Sequence, residues 1–219
     1  MIKYRFDNLK VILFILLLFL IVSCHRNSNT QRTIVAVEND SALKVEDKVG
    51  NSVAEFEIQV PLDYNHLTQL DSFVMRNRNN SSWIISWMFT DSVFSISTNK
   101  LIPGEFYTVK IFPIIKQMRS EECIEFMKNQ NAIMVNAQGL TLAFDLFPGK
   151  FPRDRWILSF DVYDKLASSP DVKYEEKMVP MIGNTLFNPK ELHSYYGWDS
   201  GWGENYYMLC FFKKAETTR

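Results

Sequence analysis

Histidine is scarce in this chain, and its scarcity limits the chemistry that the chain can perform. Only three histidines occur among 219 residues, and two of them, His66 and His193, lie beyond the first 25 residues. A histidine-rich metal site is therefore excluded, and acid–base catalysis has few candidates. Three cysteines are present without a CxxC spacing or a Cys/His pairing. The sequence therefore predicts no metal site and no cofactor.

Charge of one sign is also missing. Lysine and arginine number 24, aspartate and glutamate number 25, and no long single-sign run occurs. A nucleic-acid-binding domain normally carries a basic excess, so this balance argues against a nucleic-acid partner. The chain also lacks a GxSxG motif, an HExxH motif, a phosphate-binding loop and a dinucleotide fingerprint. We predict no catalytic residue, although a hydrolase without a short motif stays open.

One long apolar run is present, and it lies near the N-terminus. Lys3, Arg5 and Lys10 precede residues 11–22, which are twelve apolar residues in succession. At about 1.5 Å per residue this run covers about 18 Å, whereas the hydrocarbon core of a bilayer is about 30 Å thick. The length fits the core of a signal peptide better than a permanent transmembrane anchor.

Residues 21–24, Ile-Val-Ser-Cys, resemble the lipobox of bacterial lipoproteins. The resemblance covers only the first 24 residues, and it implies cleavage before Cys24 and acylation of that cysteine, typically with palmitate. Two or more acyl chains anchor a protein stably to a membrane. We therefore expect a signal peptide over residues 1–23 and a lipid anchor at Cys24. An uncleaved anchor and an ordinary secretory signal are the alternatives.

The segment after the cleavage position, residues 24–32, is polar and free of acidic residues. Such a segment cannot bury apolar surface, so it predicts a flexible tether before a single globular domain over residues 33–219. Lipoproteins of the Bacteroidota that reach the outer face of the outer membrane often carry an acidic cluster just after the cysteine. If the chain comes from that group, the missing cluster favours an outer-membrane anchor with the domain facing the periplasm.

Hydrophobic patterning predicts an α+β domain that is mainly β. The clearest strand covers residues 54–60, where apolar residues alternate with Glu55, Glu57 and Gln59. Because strands come in runs, we expect an antiparallel sheet or sandwich of about nine or ten strands with two or three helices packed on it. Helices are expected at residues 65–76 and 120–127. The other strands are expected at residues 33–38, 83–89, 93–98, 106–112, 133–135, 140–147, 156–162, 177–182 and 206–212.

Three of these expectations are more specific. The strands between residues 83 and 112 are predicted to form an antiparallel meander. Residues 206–212 are apolar at every position, which predicts a central strand covered on both faces. Cys123 and Cys210 could form one disulfide or remain two buried free thiols, and both alternatives stay open.

The most distinctive segment is residues 193–207, which contain two tryptophans, four tyrosines and three glycines. Aromatic rings beside glycine, which lets chains approach closely, are typical of surfaces that hold sugars or peptides. We expect one tryptophan to be buried as an anchor of the loop and the other to be accessible. The candidate ligand contacts are Trp198, Trp202, Tyr196, Glu204 and His193.

Part of this segment, residues 198–207, is similar to the tryptophan–glycine motif of papain-like cysteine proteases. Trp198, Trp202 and Gly203 fall at matching positions, but Tyr196 replaces the expected asparagine. That family requires a thiolate–imidazole pair, and no cysteine here has the family's nucleophile context. His193 is also too close to the motif to be the catalytic base. The resemblance therefore does not imply a protease.

These observations favour a membrane-anchored envelope lipoprotein with a non-enzymatic binding or assembly-accessory role. Its partners would be membrane lipid, through acylated Cys24, and a glycan or protein ligand. One alternative is a cell-envelope hydrolase of glycan or peptide that uses His193, Asp199 or Glu204. A second alternative is an immunity-type inhibitor of a toxin delivered to the periplasm.

Overall fold

A computed structural model describes residues 44–153, 155–168, 177–183, 190–196 and 201–214, apart from the side chains of residues 194–196. These residues form one sheet, three α-helices and three short 3-10 turns. The strands are β1 (Ala54–Gln59), β2 (Trp83–Ile85), β3 (Phe106–Pro113), β4 (Trp156–Leu158), β5 (Met178–Gly183), β6 (Lys190–Tyr196) and β7 (Tyr206–Lys213). The helices are α1 (Gln69–Asn77), α2 (Ser120–Asn129) and α3 (Asn136–Leu146), and the turns are Val45–Lys48, Pro148–Lys150 and Tyr163–Lys165.

The sheet is mixed, with strand order β1-β3-β7-β4-β5-β6-β2. Four neighbouring pairs are antiparallel, whereas β4 pairs with β7, and β2 with β6, in parallel. The predicted α+β class with a dominant sheet is confirmed. The finer expectation is wrong, because the sheet has seven strands in the described residues and is not purely antiparallel. Parallel pairs join segments that are distant in sequence, and local patterning does not reveal such pairing.

Strand β7 divides the core into two layers. Leu209 and Phe211 belong to a cluster with α1 and α3, which we call the α1/α3 face of the sheet. Met208 and Cys210 belong to a second cluster with α2, on the α2 face. The prediction of a central, doubly covered strand is confirmed. Cys123 also lies in the second cluster, and both cysteines are buried free thiols.

Helix α3 replaces the strand expected at residues 140–147. Every residue from 136 to 144 is buried, so this helix has no polar stripe whose period of 3.6 residues could be recognised in the sequence. Gly139 lies where the helix meets β7. A Cβ atom there would come within 2.7 Å of the Val135 Cβ atom and 2.9 Å of the Phe211 ring. This close approach explains a glycine inside a helix.

The expectation of an antiparallel meander between residues 83 and 112 is also wrong. Only residues 83–85 of the first segment are a strand, they pair with β6, and residues 93–98 form no strand. The segment that follows residues 83–85 instead stabilises the N-terminus of α1. Asp91 accepts hydrogen bonds from the backbone N–H groups of Leu70, at 3.3 Å, and Asp71, at 2.9 Å. A carboxylate at this position satisfies N–H groups that have no partner within the helix and interacts favourably with the helix dipole.

Pro180 explains why β4 is shorter than the strand expected at residues 156–162. Leu158 pairs with Met181, and the N–H of Ser159 donates to the Pro180 carbonyl at 3.0 Å. Proline has no N–H group to donate back, so the ladder between β4 and β5 stops there. Similarly, Ile133 makes only an isolated bridge, to Phe211, where a strand was expected.

Candidate binding surfaces

Trp202 is a core residue. Its side chain is 1% exposed, and its indole Nε1–H donates to the Ser120 hydroxyl at 2.8 Å. Its ring meets those of Phe160 and Tyr206 edge to face, at 5.8 Å and 5.2 Å between centroids. Its backbone exchanges two hydrogen bonds with Met118. These contacts fasten the start of β7 to the beginning of α2.

Of the other predicted ligand contacts, the structure describes the side chains of His193 and Glu204. His193 is on β6, where its Nε2 lies 3.3 Å from Glu191 and its ring meets Trp156 edge to face. Glu204 is exposed in the turn before β7. The backbone of Tyr196 ends β6, but its side chain and the whole of Trp198 lie outside the described residues. The expected difference in exposure between the two tryptophans therefore stays a prediction.

His66 lies in a buried network that the sequence did not indicate. It falls within the helix expected at residues 65–76, but in the structure it precedes α1 and is 6% exposed. Its Nδ1 lies 3.0 Å from the Tyr64 hydroxyl, and its Nε2 lies 2.8 Å from the Ser97 hydroxyl. Burial, with a smaller contribution from Lys100, lowers the pKa of His66 to about 4. The imidazole is therefore neutral at pH 7.

The hydrogen bonds of this network show that Ser97 and His66 are not a nucleophile and its base. Burial raises the pKa of Tyr64, so its hydroxyl keeps its proton, and it donates to Nδ1 of His66 in the tautomer that carries the ring proton on Nε2. Nε2 then carries the ring proton and donates to Ser97, whose own proton goes to the Asn99 carbonyl at 2.8 Å. A general base needs a free nitrogen facing the nucleophile, and here that nitrogen is the donor.

Asp161 is a second buried group with a structural role. It is fully buried and accepts hydrogen bonds from both the N–H and the hydroxyl of Thr98 and from the N–H of Val162. Burial raises its pKa despite these bonds. The carboxylate ties the loop before β3 to the segment after β4.

The free edge of β1 is the first surface that has room for a partner. β1 lies at one end of the sheet, and β3 is its only partner among the described strands. The Val60 N–H donates to the Glu105 carbonyl at 2.9 Å, so the backbone of Val60 points towards β3. Because backbone groups alternate along a strand, every second residue of β1 points its N–H and C=O away from the sheet. These residues are Glu55, Glu57 and Gln59, and all three are exposed.

The side chains on this edge alternate in the same way. Phe56 belongs to the core on the α1/α3 face, so Glu55 and Glu57 lie on the α2 face. Each glutamate has a lysine on its inner side. Lys110 lies 3.1 Å from Oε2 of Glu55, and Lys214 lies 3.1 Å from Oε2 of Glu57. The edge of the sheet therefore has an acidic rim. The two lysines that pair with it lie further inside the sheet, Lys110 on β3 and Lys214 just after β7.

A groove of about 650 Å³ continues from this edge. It lies beside the N-terminal end of β1, and its lining includes residues 50–52, Glu55, Lys110 and the rings of Phe112 and Phe126. Its size is within the range of small-ligand sites, and its lining combines polar and charged residues with apolar rings. A partner segment paired with β1 would continue past the end of the strand and lie beside this groove.

The opposite edge of the sheet, formed by β2, has fewer backbone groups available for a partner. β2 has three residues, and short edge strands present few groups for pairing. Within the described ranges, no three side chains of histidine, cysteine, aspartate or glutamate converge as metal ligands. None of the described helices is both long and apolar enough to cross a bilayer.

The sequence indicated the alternation of β1 but not its position at an edge. The glutamates were read as the solvated face of a strand, and that reading is confirmed. Only the strand order places their backbone groups on the outside. Comparisons with protein-family models, with curated proteins and with solved structures found no match.

Proposed function

We propose that this chain is a non-enzymatic lipoprotein of the cell envelope whose domain binds an extended segment of a protein partner. The segment would add to the sheet as a strand beside β1. The observation that carries the proposal is the exposed edge of β1, with three residues pointing their backbone groups outward next to a groove. In strand addition, main-chain hydrogen bonds supply affinity and alternate side chains supply specificity.

A peptide selection tests this binding mode. Peptides selected from a random library against the full chain should bind about tenfold more weakly to a Glu57→Pro variant, because proline removes an outward N–H group. Glu125→Gln, on the exposed side of α2, is the control and should leave binding unchanged. Selected peptides that bind the Glu57→Pro variant as well as the parent chain would rule out strand addition at β1.

The lipid anchor at Cys24 is the second part of the proposal. It is supported by the lipobox-like residues 21–24 and by the basic and apolar segments before them. All of them lie outside the described residues. If the chain comes from the Bacteroidota, the absence of acidic residues from residues 24–32 supports an outer-membrane anchor with the domain facing the periplasm. There the domain would meet extended segments of other envelope proteins.

Replacing Cys24 tests the anchor. A Cys24→Ala chain should leave the membrane fraction and lose incorporation of a palmitate analogue, whereas Ser28→Ala in the tether should change neither. A Cys24→Ala chain that still fractionates with the membrane, when the parent chain incorporates no acyl label, would contradict the lipoprotein assignment.

A hydrolase is the second candidate, because His193 and Glu191 form a half-buried pair beside Trp156. Incubating the full chain with peptidoglycan and common glycans separates the two candidates. We expect no turnover. Turnover that is lost in His193→Gln or Glu204→Gln would replace the binding role with an enzymatic one.

A further inference from the structure

We infer that the partner strand is basic on one face and apolar on the other. Lysine or arginine at alternate positions would lie opposite Glu55 and Glu57, and the residues between them would be apolar. This inference rests on the proposed strand addition at β1, and it specifies the chemistry of the segment that β1 accepts.

The expected basic face of the partner strand follows from the two glutamates of β1. Directly opposite residues of neighbouring strands have Cβ atoms about 5 Å apart, so a partner's side chains would reach Glu55 and Glu57 from the open side. Lys110 and Lys214 each contact the Oε2 atom of their glutamate. A carboxylate has about four acceptor positions, so Oε1 can accept from a second cation. Each glutamate would then lie between two cations.

The expected apolar face of the partner strand follows from the residues on the α1/α3 face beside β1. Phe56 is 7% exposed, and the ring of Phe147 lies 5.5 Å from it. Phe147 itself is still 37% exposed. An apolar side chain of an added strand would cover this ring and gain from the burial. A charged side chain at the same position would lose water without gaining a partner.

The same charges disfavour a second copy of this chain as the occupant. Two β1 strands that pair antiparallel about a two-fold axis at Phe56 or Glu57, in the middle of the strand, place Glu55 opposite Glu57 or Glu57 opposite itself. Like charges directly opposite each other are destabilising. Charged side chains on edge strands are a common protection against self-association. The glutamates therefore disfavour pairing between the β1 edges of two copies, and they favour a partner strand that is basic.

Three synthetic peptides of eight residues test this specificity. One alternates lysine and valine, one alternates glutamate and valine, and one has the lysines and valines in two blocks. Binding of the labelled peptides to the full chain in non-ionic detergent is measured by fluorescence anisotropy. The alternating lysine–valine peptide should bind about tenfold more tightly than either of the others, because only it places cations opposite both glutamates and apolar groups on the other face.

Single variants locate the effect. Glu57→Lys should weaken the lysine–valine peptide and strengthen the glutamate–valine peptide, whereas Glu125→Lys, with the same change in net charge, should do neither. Glu57→Pro should weaken the lysine–valine peptide by about tenfold through loss of the outward N–H. N-methylation of the peptide along one edge should abolish binding, and along the other edge should be tolerated.

The outcomes separate this inference from the proposed function. If the two alternating peptides bind equally and both are weakened by Glu57→Pro, strand addition stands and the charge specificity is wrong. Equal binding of the block peptide would likewise overturn the alternating pattern. Binding that Glu57→Pro does not alter, or no binding of any peptide, would overturn the β1 site and the inference together.

Discussion

At the residue scale, aromatic rings that look like a ligand platform in the sequence include a main support of the core. Trp202 is buried against Phe160 and Tyr206, and its Nε1–H is bonded to Ser120. Sequence composition could identify the aromatic cluster but not its orientation. The reason is that burial depends on what α2 and the segment after β4 bring to the same place.

Substitution of Trp202 should therefore affect stability. Trp202→Ala should lower the free energy of unfolding by about 3–5 kcal/mol, as for other buried large side chains. Ser120→Ala removes the hydroxyl that accepts from the indole N–H and should cost about 1–3 kcal/mol. Trp87→Ala is the control, because Trp87 is 68% exposed, and its effect should be below about 0.5 kcal/mol. Urea unfolding of the full chain measures all three, and a Trp202→Ala variant as stable as the parent would contradict the burial.

His66 should make stability depend on pH. Its pKa is lowered by burial to about 4 in the folded chain, whereas an unfolded histidine titrates near pH 6.5. Between these values the unfolded state binds more protons, so the stabilising contribution present at pH 7 is lost as pH falls from about 6.5 to 4. The parent should lose about 3 kcal/mol more than a His66→Gln variant between pH 7 and pH 4. Equal losses in urea unfolding would contradict a buried neutral imidazole.

At the scale of single elements, patterning succeeded where one face of a segment is exposed, and among segments buried on both faces it predicted the strand β7 but not the helix α3. β1 alternates buried and exposed residues, and α2 carries one buried stripe, so both were predicted. α3 is buried along most of its length and was assigned to a strand. β4 is short because Pro180 in its partner β5, and not its own residues, determines where pairing stops.

Gly139 tests the packing of α3 on the sheet. Alanine favours an exposed helix over glycine by about 1 kcal/mol. Here a Cβ atom would clash with Val135 and Phe211, so Gly139→Ala should destabilise the chain by about 1–3 kcal/mol. Gly149→Ala has open space around the added atom and should be neutral or slightly stabilising. Thermal unfolding compares them, and a stabilised Gly139→Ala variant would show that the helix does not approach β7 closely.

Proline substitutions test which side of β1 is free. Glu57→Pro should change the free energy of unfolding by less than about 1 kcal/mol, because its N–H points away from β3 and proline is tolerated on edge strands. Ile58→Pro removes a hydrogen bond to β3 and should cost about 3 kcal/mol or more. Ile58→Ala, which leaves the backbone bond intact, separates the loss of side-chain packing. Similar costs for the two proline variants would mean that both sides of β1 are paired.

At the scale of the whole molecule, the mixed sheet leaves β1 as its one long edge among the described strands. The long edge, its acidic rim and the adjoining groove lie together at that end of the sheet. The sequence predicted the alternating residues and the class of fold, but strand order arises from contacts between distant segments. The site could therefore be found only from the assembled sheet.

Amide hydrogen exchange at β1 tests the central claim most directly. In the full chain alone, the amide of Glu57 should exchange rapidly, while that of its neighbour Ile58, bonded to β3, should exchange slowly. A saturating amount of the alternating lysine–valine peptide should slow Glu57 and leave Ile58 unchanged. An amide of Glu57 that is already protected in the free chain, or that stays fast with the peptide bound, would contradict a free edge that accepts a strand.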